Sequence, residues 1–181
     1  MSIDLADRRV LVTGGNSGIG EAITDALSEC GAHVAINFLT DPAAADAVAE
    51  RARSRGCKAL TLEADVSDSA AIETMFAAMD HAWGGIDILV NNAGIDGKSA
   101  TGWEVDLDAW RKVIDVNLFG TFLCCRQALQ RMVRQSAGVI INMSSVHETI
   151  PWSGHSAYAA SKAGVSMLTK TLAQEAAAHG V

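Results

Sequence analysis

Five short apolar runs alternate with longer segments of helical periodicity along this chain, and this alternation is the feature that most constrains its fold. Strands are predicted at residues 10–12, 33–38, 58–62, 86–90 and 138–143. After the first strand, apolar residues recur at helical spacing, as at Ile19, Ile23 and Leu27. Strands that alternate with helices predict an α/β fold, a doubly wound parallel sheet with helices on both faces. Ligands of such sheets bind beyond the carboxyl ends of the strands.

Length, charge and cysteine usage narrow the range of partners. The 181 residues are the size of one domain, so we predict a single domain over residues 1–181. A net charge of −7 argues against binding to nucleic acid or to an anionic membrane surface, and no apolar run reaches the ~18–20 residues of a membrane span. Small molecules are the expected partners.

The four cysteines form no CxxC pair and the N-terminus does not resemble a signal peptide, so we expect a cytoplasmic protein with reduced thiols and no metal site.

A glycine-rich segment, TGGNSGIG at residues 13–20, separates the first strand from the first helix. A turn of this kind lets the backbone approach a pyrophosphate, and the helix that follows offers unpaired N–H groups to it. A tight turn without any ligand is the alternative interpretation. The residues expected to contact a nucleotide here are Gly14, Asn16, Ser17, Gly18, Ile19 and Gly20.

Polar residues also follow the third and fourth predicted strands, at the same edge of the sheet. Asp65 could accept a hydrogen bond from an adenine amino group, or it could help to start the next helix. The NNAG segment at residues 91–94 could be a simple turn or could hold a ribose. Because these segments share one edge with the glycine-rich turn, we predict a nucleotide site there. Its further contacts are predicted at Asp65, Val66, Asn91, Ala93 and Gly94.

Tyr158 and Lys162 are four residues apart in the last helical segment, which places both side chains on one face of a helix. An unperturbed tyrosine titrates near pH ~10, and a neighbouring cation is one way to lower its pKa toward neutrality. Ser145 follows the fifth strand and can face the same pocket, so three polar groups can converge on one oxygen atom. If this spacing stood alone, the alternative interpretation would be that Tyr158 and Lys162 simply lie on a solvent-exposed face of a helix. Asn117 lies inside a helical pattern, which indicates either back-bonding to the main chain or a functional water.

These ordered motifs closely resemble those of the short-chain dehydrogenase/reductase family over essentially the whole chain. The matching segments are TGGNSGIG at 13–20, NNAG at 91–94, VNL around Asn117, SS at 144–145 and YAASK at 158–162. The resemblance implies a Rossmann-like oxidoreductase that uses NAD or NADP. It also implies that Tyr158 exchanges a proton with the substrate oxygen and that Ser145 holds this oxygen. Lys162 would lower the pKa of Tyr158 and, with Tyr158, bind the nicotinamide ribose, and Asn117 would hold a water of the proton relay.

The segment SSVHETIPW at residues 144–152 is similar to that of bacterial glucose 1-dehydrogenases. This resemblance implies hydride transfer to or from a sugar or another secondary alcohol or carbonyl, with Ser145, His147 and Tyr158 as substrate contacts. A 3-oxoacyl-reductase-like enzyme is an alternative. His147 and Glu148 could line a sugar site or form an ion pair that braces the loop. Trp152 could stack on the substrate or anchor the loop.

The choice between NAD and NADP depends on the end of the second strand. The family usually has an aspartate there for the ribose hydroxyls of NAD, or an arginine just after it for the 2′-phosphate of NADP. This chain has Phe38 and Leu39 instead. Asp41 would repel a phosphate, and the arginines at 51, 53 and 55 are too far along the next helix. These residues favour NAD.

The C-terminus differs from the family pattern, because the chain stops at Val181 where relatives usually continue into a sixth strand, a substrate-covering lid and a seventh strand. We therefore expect the fifth strand to form an open edge of the sheet. The chain is expected to be either a fragment of a longer enzyme or a shortened protein, a nucleotide-binding or associating remnant without efficient turnover.

The helices around Trp110–Leu129 and after Tyr158 carry apolar residues on more than one face, so we predict a homo-oligomer.

Overall fold

The computed structural model describes residues 3–181, which form five strands and six α-helices. The strands are β1 (Arg9–Val12), β2 (His33–Phe38), β3 (Ala59–Glu63), β4 (Ile88–Asn91) and β5 (Val139–Asn142). The helices are α1 (Gly18–Glu29), α2 (Pro42–Ser54), α3 (Ser69–Trp83), α4 (Leu107–Ile114), α5 (Gly120–Gln135) and α6 (Ser156–Ala176). A π-helical turn, Asp115–Phe119, joins α4 to α5, and short 3₁₀ turns cover Val146–Glu148 and Ala177–His179.

The five strands form one parallel sheet in the order β3-β2-β1-β4-β5. β1 lies in the middle because the chain first adds β2 and β3 on one side and then crosses over to add β4 and β5 on the other. This reversal creates a crevice at the carboxyl ends of β1 and β4, where ligands of such sheets bind. The predicted doubly wound, Rossmann-like architecture is confirmed.

Two hydrophobic cores flank the sheet, one on each face. Successive residues of a strand point to opposite faces, so Leu11 packs with α3 and α5 around Phe76, whereas Val10 and Val12 pack with α2 around Val48. The strands are therefore covered on both sides, which explains why their sequences are nearly continuous in apolar residues.

β5 forms one edge of the sheet, because it pairs with β4 alone within residues 3–181. The side chains of Val139 and Ile141 are about half exposed on one of its faces. The expectation of an open edge at the fifth strand is thus confirmed for the described residues. None of the helices in the described part of the chain combines the length and hydrophobicity needed to cross a membrane.

Candidate active site

A cleft of about 450 Å³ opens at the carboxyl ends of β1 to β4. The predicted nucleotide contacts that line it are Gly14, Asn16, Ser17, Ile19, Gly20, Asp65, Val66, Ala93 and Gly94. Residues of this cleft that were not predicted include Asn37, Leu39, Thr40, Asn92, Ile95 and Lys112. Gly18, Asn91, Tyr158 and Lys162 are not among its lining residues. The structure thus brings three predicted segments, residues 14–20, 65–66 and 93–94, together at one edge of the sheet.

The glycine-rich turn is packed directly against the segment that follows β4. A Cβ atom on Gly20 would overlap the carbonyl oxygen of Gly14 and would lie 2.5 Å from the side-chain nitrogen of Asn92. Asn92 Nδ2 donates hydrogen bonds to the carbonyl oxygens of Thr13 (2.9 Å) and Gly14 (3.2 Å). Thr13 Oγ1 in turn accepts from the backbone N–H groups of Asn92 and Ala93. These contacts fix the turn in a shape that only glycine at position 20 permits.

The side chain of Asn91 points away from this cleft. It is buried and donates to Cys125 Sγ (3.3 Å) and to Asn142 Oδ1 (2.9 Å). Asn91 follows Leu89 by two residues, so both side chains lie on the face of the sheet that α5 covers. Of the two neighbouring asparagines, Asn92 is therefore the one that reaches the cleft, and the alternation along β4 was the signal that could have identified it.

Asp65 lines the cleft with an ionised carboxylate. Its Oδ1 atom accepts from Ser67 Oγ (2.6 Å) and from the Ser67 N–H (2.9 Å). These hydrogen bonds hold the pKa of the Asp65 carboxyl below its usual range. The side chain that caps α3 is that of Asp68, which accepts from the N–H groups of Ala70 and Ala71. Asp65 is thus not the capping residue, and it offers an acceptor at the cleft wall.

The end of the cleft beside β2 is formed by Leu39 and Thr40. Leu39 is 54% exposed, and Asn16 Nδ2 donates to the Thr40 carbonyl oxygen (2.9 Å). The Asp41 carboxylate caps α2 by accepting from the Ala44 N–H (3.0 Å). Among the described lining residues, Lys112 is the one cation, and it comes from α4. The end of the cleft at Leu39 therefore carries no positive side chain within the described lining.

Arg51 of α2 and Arg55, the residue just after the end of this helix, face α1 rather than the cleft, and Arg53 pairs with Glu50 of its own helix. Arg51 pairs with Glu21 and Asp25, and Arg55 pairs with Asp25 and Glu29. A hydrogen bond from Arg51 holds the pKa of the Asp25 carboxyl below its usual range, and a second hydrogen bond from Arg55 adds to this effect. These ion pairs tie the two helices together on the outside of the sheet, in agreement with the expectation that the arginines lie too far away to contact the nucleotide.

Asn117 lies in the π-helical turn, where the predicted long helix is interrupted. Its buried side chain donates from Nδ2 to the Ile95 carbonyl (2.8 Å) and to Ser161 Oγ (3.1 Å), and its Oδ1 accepts from the Ile95 N–H (2.8 Å). The residue therefore joins the loop after β4 to α6. A π-helical turn of this kind is often found at functional sites. The predicted role of Asn117 in a proton relay stays a prediction.

Lys162 is buried, and its ammonium group lies between Tyr158 and the loop after β4. Nζ donates to the Met143 carbonyl oxygen (2.7 Å) and lies 5.7 Å from the centroid of the Tyr158 ring. A Cβ atom on Gly94 would lie 3.7 Å from Nζ, an ordinary contact distance, so the ammonium lies beside this part of the cleft wall. Burial lowers the pKa of the Lys162 ammonium. Lys162 thus connects the tyrosine to the nucleotide cleft.

The turn after β5 holds Ser145 in an extended conformation. Ser145 Oγ accepts from the His147 N–H (3.2 Å) and so caps the 3₁₀ turn Val146–Glu148. Ser144 Oγ lies within hydrogen-bonding distance of Glu148 Oε2 and of the Lys162 carbonyl oxygen (3.2 Å), which can each accept its proton. Glu148 therefore braces the loop through Ser144, whereas the two roles considered from the sequence were a sugar contact and an ion pair with His147. The turn that carries Ser145 is tied to the helix that carries Lys162.

Trp152 packs between two histidines beside Tyr158. Its indole stacks on His147 (ring centroids 4.5 Å apart, planes 16° apart) and on His155 (3.8 Å, 12°). The Tyr158 ring meets Trp152 edge to face at 5.5 Å and 87°, and it meets His147 at 6.3 Å and 72°. The indole remains 37% exposed. Of the two roles considered for Trp152, the contacts favour an anchor within the loop.

Residues 8–181 match the short chain dehydrogenase family, and this chain therefore belongs to that family. The chain is 43% identical over 179 residues to 3beta-hydroxysteroid dehydrogenase 1 of Eggerthella lenta, a match that covers 98% of this chain and 68% of that protein. It is 39% identical over 180 residues to glucose 1-dehydrogenase 2 of Bacillus subtilis, covering 98% of this chain and 69% of that protein.

The fold is also similar to that of solved structures. A short-chain type dehydrogenase/reductase from Mycobacterium marinum superposes with a TM-score of 0.93 at 35% identity, over 99% of this chain and 71% of that one. The chain thus spans about 68–71% of the length of these three relatives. The family and the Rossmann-like fold predicted from the motifs are both confirmed.

Proposed function

We propose that this chain is an NAD-dependent oxidoreductase that transfers a hydride between the nicotinamide and a secondary alcohol or carbonyl of a sugar or a similar small molecule. The observation that carries the proposal is the position of the buried Lys162 ammonium, 5.7 Å from the Tyr158 ring centroid and next to Gly94 at the wall of the cleft. A phenol and an ammonium so arranged can handle a proton beside a bound nucleotide.

The nucleotide would be held by the cleft at the strand ends. The absence of side chains at Gly14 and Gly20 lets the glycine-rich turn pack tightly against Asn92 and Ala93, and both glycines line the cleft in which a dinucleotide pyrophosphate would lie. Asp65 offers an ionised acceptor for an adenine amino group, and Ala93 and Gly94 line the path toward Lys162. When bound, the nicotinamide supplies or accepts the hydride.

The chain's own residues would manage the proton. Tyr158 gives a proton to the substrate oxygen during carbonyl reduction and takes one during alcohol oxidation, with its Oη as the exchanging atom. Ser145 Oγ would hold that oxygen by donating its proton, because the contact it makes in the structure, with the His147 N–H, uses it only as an acceptor. Lys162 would stabilise the charge on the phenol oxygen, and it is the residue that would hold the nicotinamide ribose by donating a hydrogen bond to it. Asn117 keeps the loop at Ile95 and helix α6 in register, so these groups stay aligned.

Turnover by the purified chain is the direct test. NAD with D-glucose and a panel of other secondary alcohols should produce NADH, followed by its absorbance. A chain that binds NADH but oxidises none of these alcohols and reduces no matching ketone would contradict the proposal. Such a result would support the second candidate, a nucleotide-binding protein without turnover, which the cleft alone would suffice to form because its lining residues lie between Gly14 and Val116.

NADH should bind more tightly than NADPH, by about tenfold or more. The end of the cleft at Leu39 and Thr40 lacks a cation among the described lining residues, and the Asp41 carboxylate lies in the same loop. A 2′-phosphate there would meet negative charge without compensation. Fluorescence titration of the chain with each nucleotide measures both dissociation constants.

The variant Leu39→Arg supplies the missing charge for the same titration. It should tighten NADPH binding and leave NADH binding nearly unchanged, because a guanidinium suits a phosphate and NADH has none at this position. The matched control is Leu39→Gln, which changes size and polarity without adding charge. Equal affinity of the unmodified chain for both nucleotides would contradict the assignment to NAD.

We further propose that the chain forms a homo-oligomer through α5 and α6. Phe122, Leu129 and Val133 of α5 line a surface groove with Leu172 of α6, and Phe119 and Met167 are also exposed. Light scattering should give a mass of at least twice the 18.9 kDa of one chain. Phe122→Glu should shift the mass toward one chain because it places a charge in an apolar contact, whereas Val139→Glu on β5 should not.

A further inference from the structure

The Tyr158 ring contacts an aromatic stack formed by His147, Trp152 and His155, and this stack has no part in the proposed chemical step. We infer that Trp152, held between His147 and His155, is a positioning residue for Tyr158. The inference rests on the proposed role of Tyr158 as the proton-exchanging group. It follows from the four ring contacts among these residues and from the way their loop is anchored.

The two imidazoles cover opposite faces of the indole. Both stack nearly parallel on Trp152, at centroid distances of 4.5 and 3.8 Å, and they make no ring contact with each other among the described residues. Rings that shared one face at these distances would touch. Both faces of the indole therefore already carry a ring, although 37% of the residue is exposed, and its remaining ring contact is with Tyr158 at 87°. Edge-to-face geometry at 5.5 Å is a favoured arrangement of aromatic pairs.

Backbone carbonyl groups fix both histidines. His147 Nδ1 lies 3.0 Å from the Ile150 carbonyl oxygen, and His155 Nδ1 lies 3.4 Å from that of Ser153. A carbonyl oxygen only accepts, so each Nδ1 carries a proton and each ring is held in one orientation. The stack is therefore braced by the loop's own main chain.

Tyr158 is restrained on two sides by this arrangement. Trp152 and His147 meet the phenol ring edge to face, and the Lys162 ammonium lies 5.7 Å from the ring centroid. The ring sits at the first turn of α6 and is half-buried, so helix packing alone leaves it room to turn. Removal of the indole would let the phenol rotate away from Lys162, and small misplacements of reacting groups reduce rates strongly.

The test uses the fact that Tyr158 is the only tyrosine of the chain. Isotope labelling of tyrosine therefore gives one set of ring signals by NMR, which report its surroundings without any need for turnover. In the unmodified chain the indole ring current should displace these signals from their positions in free tyrosine. Loss of the indole ring current alone would move these signals, so the deciding signal is the nuclear Overhauser contact between the Tyr158 ring and the Lys162 side chain. Trp152→Leu should weaken this contact, whereas Trp152→Phe should retain most of it.

Kinetics give the second readout. Trp152→Leu should lower kcat by about tenfold, with an unchanged KM for NAD, and Trp152→Phe should restore most of the rate. The control Ile150→Ala alters an exposed side chain of the same loop but keeps the carbonyl that holds His147, so neither readout should move. His155→Ala, which uncovers one indole face, should weaken the contact between Tyr158 and Lys162 to an intermediate degree.

A Tyr158–Lys162 contact of unaltered strength in a folded Trp152→Leu chain would overturn the inference. Circular dichroism and the affinity for NADH establish that the variant is folded, and His155→Ala provides the same test should Trp152→Leu fail to fold. If the unmodified chain binds NADH without turnover, the proposed function fails, but the NMR comparison still decides whether Trp152 positions Tyr158.

Discussion

Tyr158→Phe is expected to reduce kcat by about 10²–10⁴-fold, the range that a positioned proton donor or acceptor contributes. The substitution removes only the phenol oxygen. The ring contacts with Trp152 and His147 and the position near Lys162 are compatible with phenylalanine, so the fold and the loop should persist. The affinity for NADH should change little, because Tyr158 does not line the cleft that we propose for most of the nucleotide.

Steady-state kinetics and NADH titration of the same preparation separate these effects. Ser156→Ala is the matched control, since it removes a hydroxyl two residues earlier on α6 that accepts a hydrogen bond from Trp110 Nε1 at an exposed position. Its kcat should equal that of the unmodified chain. A Tyr158→Phe chain that turns over as fast as the unmodified chain would show that the phenol does not transfer the proton.

Gly20→Ala should weaken NADH binding by about tenfold or more and lower the free energy of unfolding by about 1–3 kcal/mol, as overpacking of a filled space does. The added Cβ would overlap the Gly14 carbonyl oxygen and press on Asn92 Nδ2, so the turn has to move. Asn92 would then lose its hydrogen bonds to Thr13 and Gly14, which join β1 to β4 above the sheet. Titration with NADH and chemical denaturation measure the two effects.

Gly102→Ala is the control for a glycine in open space, because no atom lies within 4 Å of an added Cβ there. Both its NADH affinity and its stability should match those of the unmodified chain. Normal NADH binding by Gly20→Ala would mean that the nucleotide does not use the glycine-rich turn, and the proposed cleft would have to be abandoned.

The arrangement of the strands was predictable because each strand is buried on both faces and is therefore apolar along its length. The exact ends of such strands were harder to predict, and the error mattered at the end of the fourth strand, β4. With the strand taken to end at Val90, the two asparagines that follow appear equivalent. The structure extends β4 to Asn91, and the alternation of faces then sends Asn91 into the core and Asn92 to the cleft.

The break between α4 and α5 illustrates a second limit. A π-helical turn preserves the helical direction, so the apolar periodicity continues through Asp115–Phe119 and predicts one helix. The sole local sign of this break in the sequence was Asn117, whose hydrogen-bonding partners Ile95 and Ser161 are distant along the chain. The stacking of Trp152 between His147 and His155 likewise depends on the path of a loop, which no periodicity encodes.

The order of the strands also has a consequence for how the chain is made. β1 is synthesised well before β4, yet the two strands are neighbours in the sheet, and the hydrogen bond from Asn92 to Thr13 spans 79 residues. Until β4 leaves the ribosome, β1 presents an unpaired edge and the glycine-rich turn lacks its anchor. Pairing across so long a stretch of chain is intrinsically slow. The strand that closes this edge also places Asn92, Ala93 and Gly94 at the candidate cleft, so the cleft can form only after β4 has been made.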